Sequence, residues 1–315
     1  MTSAALTATA ATFEEHRPLL FGIAYRMLGS VVEAEDVVQD AFLRFGQCQP
    51  SELRSPRAFL VTVITRLSVD VLRSARIRRE DYVGEWLPEP LATFAGRGPG
   101  SPEDVVERDE SLSMAFLVLL ERLSAVERAV FLLREVFDYD YREIAEFVGK
   151  SEVACRQVFH RARRHVREQN EDARNPASVG VEAQRVIDQL VRAITSDDVA
   201  GVVALLKSDA AITSDSGGTR TGAINPIHGA DRVARLMLGG VRLDPLGSAL
   251  RVTVELAELN GAPAIVSRAA DGSATEATIL EFDGARIRRI FNVRNSEKLR
   301  ALNAGTPGAA PKLRA

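Results

Sequence analysis

The segment from Tyr141 to Arg167 holds the densest chemical signal in the chain. Tyr141-Arg-Glu-Ile-Ala145-Glu-Phe-Val-Gly149 reads as a short helix stopped by glycine, and Ser151 then caps a second helix from Glu152 to Glu168. Ala145 is small where two helices must cross, and Gly149 is free to take positive φ, which together suit a helix-turn-helix. Packing of the pair claims Ile144, Val148, Cys155 and Val158. That leaves Arg156, Gln157, His160, Arg161 and Arg164 on the outward face, flanked by Arg163 and Arg167. Arg and Gln hydrogen-bond base edges in the major groove, while further Arg pair with phosphates. The expected chemistry is therefore DNA recognition, with a solvated basic helix in a bundle as the plainer alternative. Tyr139 and Tyr141 read as packing or phosphate-contact residues rather than base stackers.

Other reactive residue types are scattered. Asp215, His228, Asp231 and Glu276 are the polar groups a catalytic pocket would use, yet nothing in their spacing defines an acid-base pair. The histidines are His16, His160, His165 and His228. His160 and His165, five apart, do not share a helix face as an i,i+4 ligand pair would, so no metal and no cofactor is expected.

These residues must be held by a chain of 315 residues, long enough for two or three domains. With 46% apolar and 26% charged residues it reads as soluble and globular. No apolar run approaches the roughly 18 residues of a membrane span. Two cysteines, Cys48 and Cys155, make no disulfide framework and fit a cytoplasmic protein. A formal charge of −3 excludes a general nucleic-acid coat but not local basic helices.

Punctuation divides the chain into helical blocks at 12–80 and 102–170 and a third block at 179–302. A Pro/Gly-rich linker at 81–101 and the polar stretch Asn170 to Ser178 separate them, and a Gly/Pro/Ala-rich tail at 303–315 is expected to be disordered. Ser30-Val-Val-Glu33 and Ser124-Ala-Val-Glu127 read as capping boxes, and Ser55-Pro56 and Ser101-Pro102 as helix starts. The helix after Pro56 places Phe59, Leu60, Val63, Ile64, Leu67 and Val71 on one face. Its other side and its end carry Arg66, Arg73, Arg76, Arg78 and Arg79 against Asp70.

The third block reads as α+β. Helical spacing runs from Val179 to Leu206, and strands are expected at Leu250–Leu259, Ala264–Arg268, Thr275–Phe282 and Arg286–Val293. Asn260-Gly261, Asp271-Gly272 and Asp283-Gly284 are three hairpin signals between them.

A family resemblance joins these blocks. Glu33-Ala-Glu-Asp-Val-Val-Gln-Asp-Ala-Phe-Leu-Arg44 resembles the polymerase-binding helix of sigma factors of the extracytoplasmic-function class. Ser55 to Arg79 resembles their −10 helix, and Leu123 to Arg134 with the helix-turn-helix resembles their −35 reader. The linker motif Trp86-Leu-Pro-Glu-Pro90 matches a hallmark of the subgroup with a SnoaL-like extension. Two further hallmarks match in part: Asp-Gly-Gly-Gly-Lys appears as Asp215-Ser-Gly-Gly-Thr219, and Asn-Pro-Asp-Lys-Leu as Asn295-Ser-Glu-Lys-Leu299.

The resemblance implies a multidomain protein, with two all-α sigma domains and a C-terminal α+β SnoaL-like cone domain. It implies core RNA polymerase, through its β′ and β subunits, and promoter DNA as partners, with no membrane and no separate anti-sigma factor. Asp36, Gln39, Asp40 and Phe42 would touch polymerase. Thr62, Arg66 and Asp70, with the loop Gly46 to Arg54, would face the −10 strand. Trp86, Leu87, Pro88, Glu89, Pro90, Asp215, Asn295, Lys298 and Leu299 would carry regulation between domains, and no residue would be catalytic. Two alternatives stay open: a helix-turn-helix regulator that never meets polymerase, and a C-terminal domain that binds a ligand or catalyses a reaction, as some relatives of that fold do.

Overall fold

The computed structural model describes residues 3–48, 53–80, 82–92, 112–169, 181–218, 223–243 and 253–303. The start signal at Ser101-Pro102, part of the Gly46 to Arg54 loop, Thr219 and the tail after Asn303 lie outside the described residues. The chain forms two compact units, Met1–Glu80 with Gly98–Ala173, and Asp81–Arg97 with Arg174–Ala315.

The first unit is helical: α1 (Ser3–Leu28), α2 (Val31–Gly46), α3 (Pro56–Glu80), α4 (Met114–Leu120), α5 (Ala125–Glu135), α6 (Tyr141–Val148) and α7 (Glu152–Gln169). Its helices begin where side chains satisfy orphan amides. Ser30 Oγ accepts from Glu33 N at 3.1 Å, and Ser55 Oγ from Ala58 N at 3.2 Å. Ser124 and Glu127 close a full capping box. Asp140 and Glu143 close another that was not expected, an Asp-x-x-Glu in place of the usual Ser or Thr. On α3, Leu60, Val63, Ile64 and Leu67 are buried as expected. So are Val61, Thr65, Ser68, Val69 and Leu72, because α5 and α6 pack on the side that the apolar spacing leaves to solvent.

The second unit has α8 (Val181–Thr195), α9 (Val199–Leu205) and α10 (Ala230–Leu243) on a six-stranded sheet. Its strands are β1 (Leu206–Asp215), β2 (Ile227–His228), β3 (Thr253–Leu259), β4 (Ala262–Arg268), β5 (Ala274–Asp283) and β6 (Arg286–Val293), in the order β2-β1-β6-β5-β4-β3. The hairpins of β3 to β6 sit at the expected signals, with Asn260 and Gly261 at φ of 53° and 70°, both in the left-handed region a tight hairpin needs. Two expectations need correction. The helix stops at Thr195, where Asp197 takes φ 58° and Asp198 caps α9 by accepting from Gly201 N at 2.9 Å. Leu206 opens β1, which pairs parallel with β6 and so adds a crossover to the meander. Lys207, Ser208 and Asp209 break the alternation of β1, and a bulge before Ala211 hides its period. Val186, Leu190, Ile212, Val233, Leu280 and Ile290 form the core between helices and sheet.

Candidate nucleic-acid interface and linker anchor

The turn between α6 and α7 is built as its residue types demand. Gly149 sits at φ 66°, and Ser151 Oγ accepts from Ala154 N at 3.2 Å to start α7. Ile144 and Cys155 are fully buried. Val148 and Val158, expected beside them, are half-buried, and Phe147, Phe159 and Ala162 fill the seam instead. Bulkier neighbours one residue away take the deeper positions. Burial also pushes the Cys155 thiol pKa up.

Arg156, Gln157, His160, Arg161 and Arg164 are all exposed along α7. They are not equally free. Arg161 Nε pairs with Glu127 Oε1 of α5 at 2.5 Å. Burial works against the Glu127 carboxylate, but hydrogen bonds from Ser124 and Arg161 hold its pKa below the ordinary value. Arg161 is thereby aimed by the same residue that caps α5.

On α3 the candidate residues Thr62, Arg66 and Asp70 follow one another at helical spacing on the less buried side. Thr62 Oγ1 donates to Ala58 O at 2.8 Å. Arg66 donates from Nε to Phe147 O at 3.1 Å and from Nη2 to Glu146 O at 2.9 Å, at the carbonyl end of α6. Cations there satisfy orphan carbonyls and the helix dipole together. A second arginine does the converse: buried Arg128 of α5 donates to Met27 O near the end of α1 at 2.6 Å, and to Glu121 at 2.7 Å. A groove of about 360 Å³ lies along Arg66, Asp70, Arg73, Val148 and Lys150.

On α2, Ala34, Val37, Val38, Ala41 and Phe45 are buried, and Asp36, Gln39, Asp40 and Phe42 are exposed. Phe42 packs edge-on against Phe13 of α1 at 5.0 Å. Val32 and Leu43, 47% and 57% exposed, extend the same polar face and were not among the expected contacts. An apolar residue at a solvent position of an otherwise amphipathic helix is the signal that marks them.

The linker residues 82–92 lie on the second unit, running from the end of β1 and the segment after β6 to the β3–β4 turn. Leu87, Pro88, Glu89 and Pro90 are buried and Trp86 is half-buried. Asp215, at the end of β1 and 1% exposed, is the centre of the contact. Its carboxylate accepts from Leu87 N at 2.8 Å, Lys298 Nζ at 2.6 Å, Tyr82 Oη at 2.5 Å and Gly217 N at 3.1 Å. Lys298 Nζ also donates to Leu87 O at 2.6 Å and lies 3.9 Å from the centre of the Trp86 ring. Asn295 Nδ2 donates to Tyr82 Oη at 3.0 Å, and Leu299 is fully buried. Burial, and then the hydrogen bond to Asp215, raise the Tyr82 pKa well above its usual value. At the other end of the strip, Leu91 and Asn260 exchange hydrogen bonds at 2.8 and 3.0 Å, and Ala92 bridges Leu259. Tyr82 and Asn260 were not foreseen, because neither belongs to a motif that names its partner.

The catalytic candidates do not converge. Asp215 serves the linker, Asp231 pairs with Arg235 at 2.8 Å, and His228 is exposed on β2. Glu276, on the helix-facing side of the sheet, accepts from Asn292 at 2.7 Å and Thr278 at 3.2 Å and pairs with Arg294 at 3.4 Å. Among the described residues no group of three or more His, Cys, Asp or Glu is placed to hold a metal ion, and no helix is long and apolar enough to cross a membrane.

Comparison with known proteins accounts for this arrangement. Residues 12–78 match Sigma-70 region 2, and residues 113–166 match Sigma-70 region 4. The chain is 39% identical over 253 residues to the extracytoplasmic-function RNA polymerase sigma factor SigJ of Mycobacterium tuberculosis, covering 79% of this chain and 78% of that protein. It is 34% identical over 233 residues to the probable sigma factor SigI of the same organism, covering 72% and 75%. The crystal structure of M. tuberculosis SigJ superposes with a TM-score of 0.70 at 31% identity, covering 92% of this chain and 98% of that one.

Proposed function

Because the chain belongs to the extracytoplasmic-function sigma factors of RNA polymerase, we propose that it brings core polymerase to promoters under the control of its own C-terminal domain. Recruitment of core polymerase and promoter DNA is the family's activity. In this reading Asp36, Gln39, Asp40 and Phe42 of α2 meet polymerase, with Val32 and Leu43 adding apolar contact. Thr62 and Asp70 face the −10 strand, and Arg66 joins them on leaving the carbonyl end of α6. Arg156, Gln157, His160, Arg161 and Arg164 face the −35 duplex, where forked arginines suit both base edges and phosphates.

The observation that carries the regulatory part is the grip of Asp215 and Lys298 on the backbone of Leu87. Those two charges are buried against the strip that joins the polymerase-binding block to the −35 block. A domain that fixes the linker limits the separations the two blocks can adopt, and promoter binding needs one of them. Control of this kind uses no ligand chemistry and requires no separate anti-sigma factor. It also assigns the domain no reaction, and the commitment of Glu276 to Asn292, Thr278 and Arg294 supports that.

The test is run-off transcription with purified core polymerase, comparing the wild-type chain with Asp215→Asn and Lys298→Met, alongside limited proteolysis of the linker. Both variants should be cut faster at the linker and should change promoter output in the same direction. Wild-type output and wild-type cleavage in both would exclude control through the linker.

A further inference from the structure

Polar side chains meet on β5 and β6 where the apolar core of the second unit gives way. Leu280 and Ile290 belong to that core, and period-two alternation brings Thr278, Glu276 and Asn292 to the same side of the sheet. Thr278 and Asn292 are buried, and Asn292 Nδ2 donates to Glu276 Oε1 at 2.7 Å and to Thr278 Oγ1 at 3.0 Å. Thr278 Oγ1 in turn donates to Glu276 Oε1 at 3.2 Å. The other carboxylate oxygen, Glu276 Oε2, faces Arg294 Nε at 3.4 Å, with the side chains 33% and 16% exposed. Two neutral donors on one oxygen thus fix the carboxylate, and its second oxygen holds the guanidinium.

Arg294 stands directly before the residues that grip the linker. Its backbone N–H and that of Asn295 both donate to Asp215 O, at 2.7 and 3.2 Å. The two neighbouring side chains then part. Arg294 goes to Glu276, and Asn295 Nδ2 goes to Tyr82 Oη at 3.0 Å. Asn295 also builds the turn that follows, its Oδ1 accepting from Glu297 N and its carbonyl from Lys298 N, both at 3.0 Å. That turn delivers Lys298 Nζ to Asp215 Oδ2 and to Leu87 O, each at 2.6 Å. A rotation of the chain at Arg294 and Asn295 would therefore move both linker contacts together.

We propose that Glu276 is a positioning residue for the linker: by holding Arg294 it sets the direction in which Asn295 and Lys298 leave β6, and so sets the grip on Leu87. The register supports the pairing, because Ala277 lies opposite Val293 and the next pair outward is Glu276 with Arg294. Opposite charges across neighbouring strands favour that register. The inference rests on the linker reading given above and extends it to the helix-facing side of the sheet, from which Glu276 acts through Arg294.

Trp86 is the only tryptophan of the chain, and Lys298 Nζ lies 3.9 Å from its ring centre, so its emission reports on the grip. The full chain is compared with Glu276→Gln, Arg294→Met, Arg294→Lys and the Gln/Met double variant. Glutamine keeps an acceptor for Asn292 and Thr278 but loses the charge opposite Arg294. The readouts are acrylamide quenching of Trp86, limited proteolysis of the linker and run-off transcription, under conditions where circular dichroism matches the wild type. Glu276→Gln and Arg294→Met should each raise quenching and speed linker cleavage about two- to fivefold, the equilibrium shift that a cross-strand ion pair of ordinary strength produces. Arg294→Lys keeps the cation and should stay near wild type, and the double variant should not exceed Arg294→Met, because both changes break one link. Wild-type quenching and cleavage in Glu276→Gln would overturn the proposal, as would additive losses or a lysine as damaging as methionine. Asp231→Asn, which breaks an exposed ion pair with Arg235 in the same unit, should leave Trp86 as it is. An equal response there would mean general loosening and overturn the positioning role. Faster cleavage in Glu276→Gln with wild-type transcription would support positioning by Glu276 and overturn control through the linker.

Discussion

Arg66 reaches from the polymerase-binding block to the backbone of Phe147, donating to its carbonyl at 3.1 Å and to that of Glu146 at 2.9 Å. A side chain proposed to face the −10 strand is therefore occupied by the carbonyl end of the first helix of the −35 block. Arg128 makes the opposite crossing to Met27 O. The two blocks hold each other through arginines placed on helix ends.

Removing Arg66 should loosen that arrangement. Hydrogen bonds to a charged donor contribute roughly 1.5–3 kcal/mol each when protected, and less where the donor is exposed as here. Arg66→Ala should shift the balance of closed and open forms by about tenfold. Small-angle scattering should show a larger radius of gyration for the full chain at unchanged helix content. An unchanged radius would mean that the Arg66 contact does not hold the blocks together.

Lys298 and Asp215 form an ion pair with side chains only 8% and 0% exposed. Deleting one partner strands a buried charge, which typically costs about 3–5 kcal/mol. Asp215→Asn and Lys298→Met should each lower the stability of the second unit substantially. The double variant should lose less than the sum, and denaturant melts in a double-mutant cycle measure that coupling. Additive losses would show that the charges act independently.

The Gly217 position tests the same anchor through space rather than charge. A Cβ there would lie 2.6 Å from Asn295 Nδ2, at a backbone φ of 58°. At Gly272, φ is 86° but nothing lies within 4 Å of the added carbon. Gly217→Ala should therefore lower the melting temperature more than Gly272→Ala and speed cleavage of the linker. Gly272→Ala should carry only the left-handed strain, with normal linker cleavage. Equal effects at the two sites would rule out crowding by Asn295.

Legibility in the sequence followed the range of the interactions. The helix-turn-helix could be read because its cap at Ser151, its glycine at 149 and its arginines at helical spacing are all local signals. The hairpins at Asn260, Asp271 and Asp283 were readable for the same reason. The contact of Arg66 with α6 left no mark in the sequence, because its carbonyl acceptors lie 80 and 81 residues away and no side-chain pattern marks a carbonyl. Strand β1 was lost because charges and a bulge masked its period. At the anchor, Asp215 and Lys298 were named through the family resemblance. Tyr82, which shares the same carboxylate from 133 residues away, left no mark in its own neighbourhood.

Glu127 couples a helix cap to the DNA face, and this gives a pH dependence with a definite sign. Its carboxylate accepts from Ser124 N and Oγ at 3.0 and 2.6 Å and pairs with Arg161. These partners outweigh burial and lower its pKa in the folded chain. A carboxylate lowered on folding stabilises the fold above its unfolded value, near 4.5, and that stabilisation fades as pH falls through the folded value. Glu127→Gln removes the charge, so it should be less stable than wild type at neutral pH, by about 1 kcal/mol if the loss matches that of a typical cap. The gap should close as the solution is acidified below pH 4.5, where wild type protonates the same group. Denaturant melts of both proteins across that range measure it. A gap that stays constant with pH would show that Glu127 contributes by shape and not by charge, and would leave Arg161 unaimed by the cap.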